Sequence, residues 1–338
     1  MSPRRRIIPI FVPHLGCPNQ CVFCDQKRIS GSLFPASGDT VRQALSGLSG
    51  EGYELAFYGG SFTAIDGEMQ EELLAAAQPY RRSGLVAAIR VSTRPDAIDE
   101  TALARLHHYG VETIELGAQS MTEAVLRRSG RGHSPADTER AAHLIKSAGF
   151  KLILQLMTGL PGESRESALL SAQRLAALGP DGVRLYPTVI LRDTPLAELW
   201  QRGDYAEHTV EEAVETCADI LPVFETAGIP VIRLGLNPTE ELSGGAVIGG
   251  AYHPALGELV KSRIWLRRMR TALRGTEPMV DITIYVAPAF LSQAIGQRRG
   301  NVLALIEEFH LNSLKIYPDA QISGENLRVS VAKPDDIV

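Results

Sequence analysis

Ile7-Ile-Pro-Ile-Phe-Val12, followed by Cys17-Pro-Asn-Gln-Cys21-Val-Phe-Cys24, is the stretch on which the reading of this chain turns. The short apolar run reads as a strand, and the three thiols sit on the segment directly after it. With three and two residues between them on one loop, three thiolates can bind three irons of a cubane iron–sulfur cluster. The fourth iron is then left open to a substrate or cofactor. The same residues also permit structural zinc, which needs four closed ligands, and His14 stands near enough to complete a Cys3His set. The fourth cysteine, Cys217, falls inside a helical pattern and reads as a small buried hydrophobe.

Working outward, short apolar runs alternate with helix-length amphipathic segments. The strand candidates are 7–12, 55–58, 86–92, 113–116, 152–157, 183–186 and 230–234. Helical patterns fill 68–80, 97–109, 122–128, 135–148, 163–178 and 210–227. Gly110, Gly149, Gly179 and Gly228 stand at helix ends, where a left-handed cap is wanted. Repeated β–α units imply a parallel sheet with right-handed crossovers, hence an α/β fold with a partial or full (β/α) barrel. Chemistry in such barrels sits at the C-terminal strand ends, and here those segments are rich in Gly, Cys, Arg and Gln. After about residue 280 the pattern changes to strand 281–286, helices 289–295 and 301–309, and strands 313–317 and 327–331. The expected organisation is a barrel core over 1–250, a basic helical connector over 251–280 and a small α+β domain over 281–338.

The 338 residues are 44% hydrophobic and 22% charged, which fits one large domain and a smaller one. No apolar run approaches the ~20 residues of a membrane span. The basic start, Met1-Ser-Pro-Arg-Arg-Arg-Ile-Ile, lacks a signal peptide's apolar core and cleavage site, so the expected location is cytoplasmic. A net charge of −5 argues against a general polyanion binder and leaves only a local patch for nucleic acid. Three of four cysteines crowd into eight positions, unlike a secreted disulfide scaffold, which favours a metal site.

Further motifs follow at successive strand ends: Tyr58-Gly59-Gly60-Ser61-Phe62, Ser92-Thr93-Arg94-Pro95-Asp96, Glu115-Leu116-Gly117-Ala118-Gln119-Ser120, Arg131-Gly132-His133 and Gly159-Leu160-Pro161-Gly162. Together with the cysteine loop, the order over about 7–250 resembles the radical S-adenosylmethionine superfamily. Leu185-Tyr186-Pro187-Thr188 and Pro195-Leu196-Ala197-Glu198-Leu199-Trp200 resemble its Elongator subunit 3-like group, while oxygen-independent coproporphyrinogen oxidase-like proteins share part of the set. The resemblance implies a [4Fe–4S] cluster on Cys17, Cys21 and Cys24, with Phe23 beside the last ligand. It implies S-adenosylmethionine held by Gly59, Gly60 and Ser61 at its amino group, and by Gln119 and Arg131 at the methionine and carboxylate end. Ser92 and Gln155 would line the ribose, and Arg94 belongs to the same cofactor-binding set.

Two departures stand out. The family commonly has a carboxylate where Ser92 stands, and Elongator subunit 3 spaces its first two cluster cysteines further apart. The expectation is a member of that group without its acetyltransferase domain. By resemblance it would cleave S-adenosylmethionine reductively to a 5′-deoxyadenosyl radical, fed by flavodoxin or ferredoxin. RNA such as tRNA is the expected substrate; a small molecule of tetrapyrrole type is the alternative, and a zinc-stabilised RNA-binding protein is the reading without radical chemistry.

The last third carries the substrate hints. Arg233, Tyr252 and His253 follow the last barrel strand and can face a substrate, or form a Pro-bounded turn with one packed aromatic. Arg263, Arg267, Arg270 and Arg274 fall at i, i+4, i+7 and i+11, one helix face suited to phosphates or simply solvated. The segment Ile295-Gly296-Gln-Arg298-Arg299-Gly300 between two helices resembles the backbone-clamping loop of a KH RNA-binding module.

Overall fold

The computed structural model describes residues 5–12, 17, 21–25, 36–236 and 242–332. Six strands, β1 (Ile7–Phe11), β2 (Tyr53–Tyr58), β3 (Val86–Thr93), β4 (Val111–Gln119), β5 (Lys151–Thr158) and β6 (Gly182–Pro187), pair in sequence order. The chain then passes through β7 (Val189–Leu191) before β8 (Val231–Leu234) joins the far edge. Every pairing in this seven-stranded sheet is parallel. The two edge strands do not pair with each other, so the barrel expected from the repeats is a curled half-barrel. Pro9, which lacks a ladder donor, is tolerated because β1 is an edge strand.

The connections are α1 (Gly38–Ser46), α2 (Gly67–Arg82), α3 (Glu100–His108), α4 (Glu123–Arg128), α5 (Pro135–Ser147), α6 (Arg165–Ala177), α7 (Pro195–Gln201) and α8 (Val210–Thr226). Their starts are fixed by side chains that satisfy orphan backbone donors. Ser134 with Asp137, Ser164 with Ser167, and Thr209 with Glu212 each form reciprocal capping boxes. The four glycines expected at helix ends all take positive φ.

Alternation along the strands sorts side chains between two faces. Leu55, Phe57, Ile89, Val91, Ile114, Leu116, Leu154 and Leu185 are almost fully buried on the helix-covered side. Burying each large apolar side chain contributes about 1.5–3 kcal/mol. The opposite, concave side carries Arg90, Ser92, Glu115, Gln155 and Arg184, an unusual set for a parallel sheet, whose strands are commonly apolar throughout.

Two compact units divide the chain, 1–254 and 255–338. In the first, β9 (Val247–Gly250) pairs antiparallel with β7. The second holds α9 (Leu256–Ala272), β10 (Asp281–Val286), α10 (Leu291–Ile295), α11 (Gly300–Phe309), β11 (Ser313–Pro318) and β12 (Leu327–Ala332). Its sheet runs β11–β10–β12, with β10 parallel to β11 and antiparallel to β12. The basic segment expected as a connector is instead built into this unit, because Trp265, Met269 and Leu273 pack with Ile282, Ile284, Leu305 and Leu314 in one core. No described helix is long and apolar enough to cross a membrane.

Candidate active site

The cysteine loop leaves the end of β1 and is fastened where it passes Val22. The Val22 N–H donates to the Ser129 carbonyl (3.1 Å), and the Val22 carbonyl accepts from Leu196 N (2.8 Å). A tight turn closes from Cys24 N to the Cys21 carbonyl. Cys21 is buried and Cys17 and Cys24 are half-buried. Burial, and then the neighbouring Cys21 and Cys17 sulfurs, push the Cys24 thiol up to about 12. Cys17 is raised by burial and then Cys21, against the opposing pull of Arg94 and Arg131. Among the described residues no three His, Cys, Asp or Glu side chains are already drawn into a closed metal site. His14, the fourth zinc ligand considered above, lies outside the described residues, and Cys217 is fully buried in α8.

The strand ends around this loop are shaped by close backbone approach. Gly59 has φ 85°, and a Cβ there would press on the Val12 backbone at 3.4 Å. Next to it the buried Ser61 hydroxyl shares a hydrogen bond with Thr93 Oγ1 (2.9 Å) and accepts from Arg94 N (3.2 Å). Thr63 Oγ1 extends the hydroxyl chain at 2.6 Å from Thr93 Oγ1. These bonds tie the loop after β2 to the end of β3.

Arg131 reaches the cysteine loop itself. Its Nη1 donates to Cys21 Sγ at 3.3 Å, and its Nη2 donates to the Gly117 carbonyl at 2.6 Å. Arg94 Nη2 donates to the Arg131 carbonyl (2.6 Å), while Arg94 Nε is paired with Asp96 (2.5 Å). Gln119 holds φ 65° at a register break where β4 leaves β5, a left-handed conformation that costs a non-glycine residue energy and clusters at functional sites. A Cβ at Gly117 would lie 2.9 Å from Gln119 Nε2 and 3.2 Å from Arg131 Nη2, so any other residue there would push the amide and guanidinium aside. Two buried atoms here have no partner among the described residues: Arg131 Nε, a donor, and Gln119 Oε1, an acceptor. His133, two residues on, donates its Nε2–H to the Ala118 carbonyl (3.2 Å), and burial lowers its pKa to about 4.

Sequence reasoning passed over the charged wall on the concave face. Glu115 is fully buried and accepts from Arg90 Nη1 (2.5 Å), Arg184 Nη2 (2.8 Å) and Gln155 Nε2 (3.2 Å). Arg90 also pairs with Glu54 (2.9 Å), and Arg184 donates to the Tyr58 and Tyr186 hydroxyls. Strands β2 to β6 are thereby cross-linked by one ionic network. The signal in the sequence is the single charge in otherwise apolar strands, as in Thr113-Ile-Glu115-Leu. Gln155, expected at the ribose, gives its Nε2–H to this network, and Ser92 stands in register with Glu115.

The remaining expected residues are dispersed. Phe23 packs against the apolar cluster of Ile190, Leu196, Ala197 and Tyr205. Arg233 is half-buried on β8 near Tyr186, while Tyr252 packs against Val189 and Leu191; His253 is half-buried next to it. In the second unit Arg263, Arg267 and Arg270 lie on α9, but Arg274 falls past its end. Arg270 is held by Glu308 at 2.7 Å. Arg298 and Arg299 are exposed and form no ion pair among the described residues.

A thiol-bearing loop at the first strand end of an open parallel half-barrel, faced by a guanidinium and an orphaned amide, defines a cofactor-binding β/α enzyme. Residues 11–175 match the model described as Radical SAM superfamily, and 180–265 match the Radical_SAM C-terminal domain. The chain belongs to the radical S-adenosylmethionine superfamily and is an enzyme of that class. Its likeness runs to the Elongator subunit 3-like group. It is 31% identical over 179 residues to a tRNA uridine(34) acetyltransferase of Methanocaldococcus infernus, covering 51% of this chain and 32% of the relative. It is 30% identical over 205 residues to human Elongator complex protein 3, covering 60% and 37%. The chain thus spans about a third of the length of these relatives. The solved structure of the archaeal Methanocaldococcus infernus Elp3 has the same fold, with a TM-score of 0.61 at 23% identity over 80% of this chain and 63% of that one.

Proposed function

We propose that Cys17, Cys21 and Cys24 hold a [4Fe–4S] cluster, that S-adenosylmethionine binds beside it at the ends of β2 to β5, and that the substrate is an RNA. The observation that carries this reading is the pair of orphaned buried atoms next to Cys21. Arg131 Nε–H can donate to a carboxylate, and Gln119 Oε1 can accept from an ammonium. Leaving such groups unpaired costs about 1–3 kcal/mol each, so a zwitterionic amino-acid moiety fits them both. The thiols fit a metal equally well, since the cluster's positive charge favours the thiolates that burial alone disfavours.

Held by Cys17, Cys21 and Cys24 and by Arg131, Gln119 and Gly59, the two cofactors would supply one-electron chemistry for hydrogen abstraction. The protein's part is positional. Arg131 and Gln119 orient the methionine end; Gly59 lets backbone approach the amino group; the Ser61–Thr93–Thr63 hydroxyl chain fixes that loop. The Glu115 network makes the wall beneath rigid. A low-potential donor of the flavodoxin or ferredoxin class would supply the electron.

RNA is favoured by relatives named as tRNA uridine(34) acetyltransferases and by the exposed Arg298–Arg299 turn, whose two residues hold left-handed φ of 52° and 63°. A lone surface turn contributes few phosphate contacts, so its share of the binding should weaken only gradually with salt. Arg298→Glu with Arg299→Glu should abolish RNA retention in a gel-shift assay while cofactor cleavage persists. Undiminished retention contradicts the RNA assignment of this turn.

A further inference from the structure

We infer that Arg131 is a positioning residue for the cluster itself: its guanidinium holds the Cys21 sulfur and sets how readily the cluster accepts an electron. The inference rests on the reading above that Cys21 is a cluster ligand.

Two contacts fix this guanidinium in place, and two more steady its backbone. Arg131 is 9% exposed, and Nη1 meets Cys21 Sγ at 3.3 Å while Nη2 is anchored on the Gly117 carbonyl at 2.6 Å. Its own carbonyl is gripped by Arg94 Nη2, and Arg94 in turn is held by Asp96. The bare Cα of Gly117 leaves the space the guanidinium occupies; a Cβ there would stand 3.2 Å from Nη2. A cation held this way cannot swing out to solvent, and it acts in a poorly screened interior.

The electronic consequence follows from charge. Reduction transfers one electron from the low-potential donor to the cluster, with no bond formed or broken in the protein, and negative charge accumulates on iron-bound sulfur. Hydrogen bonds and positive charge at those sulfurs favour the reduced state and raise the potential. Arg131 donates to the Cys21 sulfur, while its buried Nε has no partner among the described residues. On the reading above, one side chain therefore serves a cluster ligand and keeps a donor for the cofactor carboxylate.

The test is a mediated redox titration of anaerobically reconstituted full-length protein, followed by electron paramagnetic resonance without S-adenosylmethionine. Omitting the cofactor separates an effect on the cluster from one on cofactor binding. Arg131→Met should keep the wild-type iron and sulfide content and show a more negative midpoint potential. Arg131→Lys, which keeps the charge but not the fork that spans two acceptors, should fall between. Arg94→Lys, which keeps the positive charge near Cys17 but loses the fork that grips the Arg131 carbonyl, should shift the potential in the same direction and by less. An Arg131→Met potential equal to wild type at full iron content overturns the inference. If that variant does not hold its iron, an unshifted Arg94→Lys potential overturns it instead. A wild-type chain that takes up no cluster removes the underlying reading, and the two failures are distinct.

Discussion

In the half-barrel, Glu115 is fully buried and met by Arg90, Arg184 and Gln155, whereas in the C-terminal unit Arg270 and Glu308 meet with more than a third of each side chain exposed. The two regions differ in what their charges are for. Around the second unit's apolar core, formed by Trp265, Met269, Ile284 and Leu305, ion pairs are surface decoration. In the first, the concave sheet face replaces an apolar core with an ionic one. Burying charge in this way does little for stability compared with apolar packing, so its value lies in the rigid polar wall it makes beside the strand ends. The same region keeps Gln119 in a strained conformation and two polar atoms unpaired, the kind of local cost found where a ligand is expected.

The largest expected effect breaks that network. Glu115→Ala leaves two buried guanidinium groups without their shared carboxylate and should destabilise the chain by about 3–5 kcal/mol, read from chemical unfolding of the half-barrel. Glu308→Ala, removing the exposed partner of Arg270, should cost no more than about 1 kcal/mol. Similar losses for the two variants would erase the distinction between the regions.

Next comes a pH effect. His133 has its pKa lowered to about 4 by burial. As pH falls below the ordinary histidine value, the unfolded chain takes up a proton that the folded one refuses. Stability should therefore drop between about pH 6.5 and pH 4, by about 3 kcal/mol in all. Glu163, at the end of β5, acts in the opposite sense. Burial pushes its carboxyl up to about 8, so its contribution is lost as pH rises from the ordinary carboxylate range toward 8. His133→Gln should flatten the acid limb of a stability profile and Glu163→Gln the alkaline limb. A profile unchanged by either substitution contradicts their burial as ionisable groups.

A smaller effect tests the other region. Asn301 is buried and its Nδ2 donates among Ser262, Gln293 and Ala294, pinning the Arg298–Arg299 turn to α9. Asn301→Leu should cost about 1–3 kcal/mol, the penalty for stranding those acceptors, with the half-barrel's stability unaffected in limited proteolysis.

The sequence made the frame of this comparison readable. Apolar runs such as Leu152-Ile-Leu154 located strands, and Gly110, Gly149, Gly179 and Gly228 marked helix ends. Three thiols in eight residues pointed to a metal site, with zinc and an iron–sulfur cluster both open. Other features needed the third dimension. Glu54, Arg90, Glu115 and Arg184 are far apart in sequence, and only parallel register brings their every-second positions onto one face. The stripe of Leu266, Met269 and Leu273 on α9 is legible at helical spacing, but the sequence does not say what it packs on, and Trp265, flanked by basic residues, gives no sign that it joins the same core. The pair β7–β9 went unseen because its strands are too short to carry a period.

The central claim is that Cys17, Cys21 and Cys24 hold a [4Fe–4S] cluster used on S-adenosylmethionine. Its most direct test is anaerobic reconstitution with iron and sulfide, reduction with dithionite, and chromatography for 5′-deoxyadenosine after adding S-adenosylmethionine. The account predicts brown protein with iron–sulfur absorbance that forms 5′-deoxyadenosine, with colour and product both lost in Cys21→Ala. Colourless protein binding zinc in place of the cluster, or a full cluster that yields no 5′-deoxyadenosine, would contradict it.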